Sequence, residues 1–295
     1  MRLSTIISTF GIFITFNLIG QIPSSAIYLV QPSGVHSNTL TYEHPKYLTN
    51  YNPNGYNNHP FFKDDDRLII SSKMPSEAEP DLYELNTTTE TLKKLTQTVS
   101  GEYSVAQIPN SDKLTFIRQE NYEGETLIRV WQFPNENSGR GEPLFPHLTN
   151  TGYHSWLDSN RIVLFMVEGS NRLVLTDREG LNLTTITEYP GRCFKVLPNG
   201  NLIYSSEIPN EGPLLKVYNP NTNTSFSLIQ PIGETQDFEV ADESIIMANG
   251  KKIFKLNWTQ TSPVWEEYTN LDWLPGNKIT RIALSQKGQL AIVIE

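Results

Sequence analysis

Apolar residues along this chain arrive in short runs broken by turns of Asp, Asn, Pro, Gly or Ser, and one strand–turn–strand unit returns six times. The copies are FKDDDRLIIS from Phe62, IPNSDKLTFI from Ile108, WLDSNRIVLF from Trp156, VLPNGNLIYS from Val196, VADESIIMAN from Val240 and LSQKGQLAIV from Leu284. Successive copies start 46, 48, 40, 44 and 44 residues apart. A repeat of that length suits one four-stranded propeller blade and is too long for a leucine-rich repeat. The pattern predicts an all-β chain folded as a six-bladed β-propeller.

Five of these inner hairpins are followed by an outer one: LYELNTTTETLKKLT from Leu82, LIRVWQFPNENSGRGEPLF from Leu127, RLVLTDREGLNLTTIT from Arg172, LLKVYNPNTNTSFSLI from Leu214 and KIFKLNWTQTSPVWEEYT from Lys252. The sixth inner copy has none after it, whereas IYLVQPSGVHSNTLTYE from Ile27 has no inner copy before it. Together these halves make a sixth blade, with the propeller closed by pairing of the N- and C-terminal strands. A ring of separate sheets can part between its first and last members, and a shared sheet bonds it shut.

Strand side chains alternate with period two, so the register sorts each inner strand into two faces. Phe62, Ile108, Trp156, Val196, Val240 and Leu284, with Pro60, Ala106, His154, Phe194, Phe238 and Ile282 two residues earlier, form a largely apolar set expected to pack against neighbouring blades. The other face carries Phe61, Gln107, Ser155, Lys195, Glu239 and Ala283, then His59, Val105, Tyr153, Cys193, Asp237 and Arg281. Innermost propeller strands line a central channel. His59, Gln107, Tyr153, Lys195, Asp237, Glu239 and Arg281 are therefore the candidate ligand-binding residues, set against the plainer expectation of a solvent-filled channel.

Composition narrows the functional classes. The 295-residue chain carries a formal net charge of −9, which repels a phosphate backbone and argues against a nucleic-acid partner. Its one cysteine, Cys193, allows no internal disulfide and no thiolate cluster. Residues 1–20 contrast with the rest: Arg2 precedes IISTFGIFITFNLIG, an uncharged apolar stretch that reads as a secretory signal peptide. Small residues place cleavage between positions 20 and 26, leaving 27–295 as a single propeller domain. This implies an exported protein, periplasmic or extracellular, without stable membrane insertion after the leader is removed.

Catalytic motifs are sparse. Asp237 and Glu239 stand at i and i+2 on one strand face, about 6.6 Å apart along the chain, a separation that paired glycosidase carboxylates also show. With His59 they are the only catalytic candidates. Asp64, Asp65 and Asp66 occupy an inner-hairpin turn and lack the spacing of a calcium loop. His36, His44, His59, His147 and His154 are scattered, with no short metal-ligand spacing. No metal or cofactor is expected. The chain contains no GxSxG elbow and no glycine-rich phosphate loop. Tyr47, Tyr51 and Tyr56, set among Asn and Pro in the segment Tyr42 to Pro60, are candidates for an aromatic binding rim. Sequons at Asn86, Asn182, Asn223 and Asn257 fall on outer hairpins.

VLPNGNLIYS and FKDDDRLIIS resemble the PDG-containing inner hairpin of the TolB-like, WD-repeat-like β-propellers, and LYELNTTTETLKKLT resembles the outer hairpin of that family. The resemblance covers nearly all of the chain after residue 26. It implies an exported propeller that serves as a protein-interaction platform, or a propeller domain of the kind attached to other modules. The separate N-terminal α/β domain of TolB, a fused peptidase and the GH and WD pairs of true WD repeats are not seen in the sequence. The expected function is a non-catalytic platform binding a protein or cell-envelope component. The alternative is a carbohydrate-active or other small-molecule enzyme with its site at the channel mouth.

Overall fold

A computed structural model describes residues 22–295, apart from 37–38, 43–44, 134–137, 211 and 234–235. The apolar leader at 1–20 lies outside the described residues. The described residues form an all-β fold of six four-stranded antiparallel sheets and one separate hairpin. Blade one comprises Tyr56–Phe62, Arg67–Lys73, Asp81–Asn86 and Leu92–Lys94. Blades two to five follow the same meander and begin with the innermost strands Gly101–Gln107, Thr151–Trp156, Pro190–Val196 and Phe238–Ala241. The innermost strands neighbour one another in a complete cycle, with Ile279–Leu284 of the closing blade beside blades five and one.

The closing blade unites the two ends of the chain. Ala26–Val30 pairs antiparallel with Leu290–Ile294, Tyr28 lying opposite Ile292. Alternation then directs neighbouring residues to opposite seams. Ile27, Leu29, Ala291 and Val293 pack with Leu68, Ile70 and Leu85 of blade one, whereas Val30, Leu290 and Ile292 pack with Ile246 and Ile253 of blade five. One detail departs from the sequence reading. The outermost strand of this blade is Lys46–Tyr47, bonded through Tyr28 and Leu29, while Pro32–His36 and Thr39–Tyr42 pair only with each other.

Each of the six seams holds its own apolar cluster, so the core is a ring of wedges and not one central mass. Ile162 and Leu164 face blade two while Val163 and Phe165 face blade four, an inside–inside pattern that explains the near-continuous apolar runs. The turns use the predicted chemistry. Asp64 Oδ1 accepts from the Asp66 and Arg67 main-chain N–H groups, and Asp158 Oδ1 accepts from Asn160 and Arg161. Each of these aspartates also pairs with the arginine that ends its turn.

Candidate functional site

Five innermost strands carry a bulge beside the channel: between Asn58 and Phe61, opposite Thr115–Ile117, at Thr151–Tyr153, between Pro190 and Phe194, and at Ile279–Arg281. An extra residue bends the strand and re-aims side chains. His59 and Ser104 sit in two of these bulges with φ of 52° and 50°, a left-handed conformation costly for non-glycine residues. Their ring nitrogen Nδ1 and hydroxyl lie 2.9 Å apart, linking blades one and two across the channel wall.

The channel contains two overlapping lobes. One, of about 220 Å³, is lined by His59, Ser104, Lys195, Glu239 and others. The second, of about 660 Å³, lies toward the start of the innermost strands and includes Tyr56, Lys278 and Glu295. His59, Tyr153, Arg192, Cys193, Asp237 and Arg281 line both. The fold thus gathers six of the seven candidate ligand-binding residues at one place. Gln107 is the exception, its amide donating to the Ser111 carbonyl at 2.7 Å in the inner turn.

The two sides of the channel differ in chemistry. Blades one to three present aromatic rings: the His59 ring centroid lies 6.5 Å from Tyr56, 5.8 Å from Tyr103 and 6.3 Å from Tyr153. Blades four, five and the closing blade present ion pairs, Lys195–Glu239 at 2.6 Å and Arg281–Asp237 at 3.1 Å. Burial, reinforced by the charges of Arg281 and Arg192, holds the His59 imidazole well below the ordinary histidine value, so it is neutral. Burial also opposes the Lys195 charge, yet the adjacent Glu239 carboxylate outweighs it and keeps the ammonium protonated. The Glu239 carboxyl is raised by burial, with Lys195 opposing only part of that rise. Burial pushes the Cys193 thiol up, away from the reactive thiolate.

Tyr47, Tyr51 and Tyr56 do not share one surface. Tyr47 stacks on Tyr28 with centroids 4.8 Å apart on the closing blade, Tyr51 packs against the seam beside blade one, and Tyr56 is buried at the channel. Among the described residues, no group of three or more His, Cys, Asp or Glu side chains is placed to hold a metal ion. Ser104 and Arg192 are channel residues that the strict two-residue register misses, because the bulges move them onto the lining. The available signal was glycine inside a strand, at Gly152 and Gly191. At Gly191 a Cβ would come within 2.2 Å of Ser205 Oγ, so the chain approaches its neighbour too closely there for a larger residue.

This six-bladed β-propeller is similar in fold to solved structures of TolB proteins. The putative TolB of Agrobacterium tumefaciens superposes with a TM-score of 0.62 at 11% identity, covering 92% of this chain and 98% of that one. TolB of Acinetobacter baumannii gives 0.56 at 11% identity over 92% of this chain, which spans 64% of that protein. An oligogalacturonate lyase in complex with manganese gives 0.55 at 14% identity, over 84% of this chain and 78% of that one. No protein-family model and no curated protein sequence matches the chain. Among the described residues, no helix is long and apolar enough to cross a membrane.

Proposed function

We propose that this protein is an exported, non-catalytic propeller that binds a protein or cell-envelope component at the mouth of its central channel. The observation that carries this reading is the convergence of all six blades on a recess whose Lys195–Glu239 and Arg281–Asp237 groups are already paired. Paired, oriented charges favour recognition of a complementary partner, since they select register and orientation more than they drive chemistry. The TolB-like fold supports a platform role, and the Arg2-led apolar leader supports export to the periplasm or beyond. Cross-linked capture from the exported fraction tests it with the wild type and a Lys195→Ala/Glu239→Ala variant. The expected result is a partner that the wild type retains and the folded variant loses. Equal capture by both would overturn the assignment.

A second reading is a carbohydrate-active enzyme at the same mouth. It draws on the burial-raised Glu239 carboxyl, a property of general acids, and on the similarity of fold to oligogalacturonate lyase. It predicts that Glu239→Gln abolishes turnover of an oligosaccharide that the variant still binds.

A further inference from the structure

The two ion pairs use up Asp237 and Glu239, the carboxylates that line the smaller lobe, and leave one of its cations over. Lys195 is matched by Glu239 and Arg281 by Asp237, while Arg192, which lines both lobes, has no acidic partner among the described residues. At the mouth of the larger lobe the Lys278 and Glu295 side chains add one charge of each sign. Arg192 is held at its bulge from behind, its main-chain N–H donating to Gln236 Oε1 at 2.8 Å, while the side chain is exposed to solvent. A surplus cation in a chain of net charge −9 is a local reversal of the protein's average field.

The groups around Arg192 complete a binding geometry. His59 is neutral, and Ser104 engages its Nδ1 at 2.9 Å, leaving Nε2 without a protein partner among the described residues. In the tautomer whose Nδ1 accepts from the Ser104 hydroxyl, Nε2 carries the hydrogen and is a donor, and an anion beside it selects that tautomer. Tyr56 and Tyr153 supply an aromatic wall to the lobe. We infer that this lobe binds a small organic monoanion, its carboxylate meeting the Arg192 guanidinium and the His59 Nε2–H, and its flat body resting on Tyr56 and Tyr153. The planar fork of arginine fits a carboxylate through two parallel hydrogen bonds, and the rings favour an unsaturated or aromatic body. This inference rests on the channel mouth being the binding surface.

Calorimetric titration of the intact protein at low salt, with benzoate and its neutral isostere benzamide, tests it. Benzoate is expected to bind saturably, and benzamide about tenfold or more weakly, as loss of a charge-assisted pair requires. Arg192→Gln should lower benzoate affinity by about the same factor without moving Tm, since the side chain is exposed, and Arg192→Lys should retain part of it. Equal binding of benzoate and benzamide, unchanged affinity in Arg192→Gln, or no saturable benzoate binding would each overturn the inference. If benzoate fails while partner capture still depends on Lys195 and Glu239, the inference falls and the platform reading stands. The converse pattern removes the platform reading and keeps the anion site.

Discussion

Two ionic clusters in this propeller have similar ingredients and opposite settings. One lies in the seam between blades one and two, where Arg118 meets Glu102 at 2.8 Å with side chains 3% and 0% exposed. Around them, Lys94 bridges Glu77 and Asp81, Thr96 Oγ1 lies 3.0 Å from Asp81 Oδ1 and 3.2 Å from Glu102 Oε2, and Arg118 stacks 3.8 Å from the Trp131 ring. The other lies in the channel, where Lys195 and Glu239 keep 34% and 17% of their side-chain surface. In the seam, Arg118 and Glu102 are sealed among partners and belong to the core, while Lys94 at the edge of the cluster keeps 31% of its side-chain surface. The channel pairs remain open to water on one side and can exchange partners. Burial, not the residue types, separates a structural ion pair from one available for recognition.

The seam also carries an imbalance. Glu77, Asp81 and Glu102 face only Lys94 and Arg118, with the Glu120–Arg129 pair and Arg140 beyond them. Burial, ahead of the nearby Asp81 carboxylate, pushes the Glu102 carboxyl up to about 7 against the pull of Thr98 and Arg118. The folded seam therefore holds a proton that the unfolded chain releases at lower pH.

The largest effect that bears on both clusters comes from neither. Deleting residues 27–43 removes the strand that closes the ring, and both sites should disappear together in one cooperative loss, read by a circular-dichroism melt. A melt matching the parent would refute closure as the source of rigidity.

Next comes Arg118→Ala, which strands Glu102 in the seam. The expected cost is about 3–5 kcal/mol in denaturant unfolding, the range for breaking a buried pair. A cost near zero would erase the contrast between the clusters.

The seam should also set a pH dependence. Because the folded Glu102 value is raised, its contribution is greatest below the ordinary glutamate range and is lost as pH rises through about 7. Wild-type Tm should fall across that window relative to Glu102→Gln, which carries no titrating proton. Parallel Tm curves would show that Glu102 does not hold it.

In the channel, Lys195→Ala/Glu239→Ala should change stability by no more than about 1 kcal/mol, because the lysine is a third exposed and water screens the pair. A loss as large as that of the seam variant would make the channel pairs structural. Smallest of all, Gln107→Ala should stay within about 0.5 kcal/mol and leave partner capture intact, since its amide serves only the Ser111 carbonyl.

How much of this was legible in the sequence depends on the length scale of the interaction. Period-two alternation and Asx turns are local, so Phe62, Ile108 and Trp156 announced inner hairpins, and Leu284 without an outer partner announced the shared blade. The candidate residues Lys195, Asp237, Glu239 and Arg281 followed from the same register. That register fails at the bulges, where an extra residue at Arg192 or Ser104 advances the face by one. Nor could it find Glu102 and Arg118, which appear as two ordinary charges on strands whose neighbours are apolar.

The amino-acid order alone determined the number of blades, the turn chemistry and the sharing of one blade between the two ends of the chain, because repeats and alternation are properties of short segments. Only the assembled ring decided which charges are sealed and which stay wet, and that Tyr47, Tyr51 and Tyr56 part company. Solvent access is set by packing between blades distant in the chain, and no local pattern encodes it.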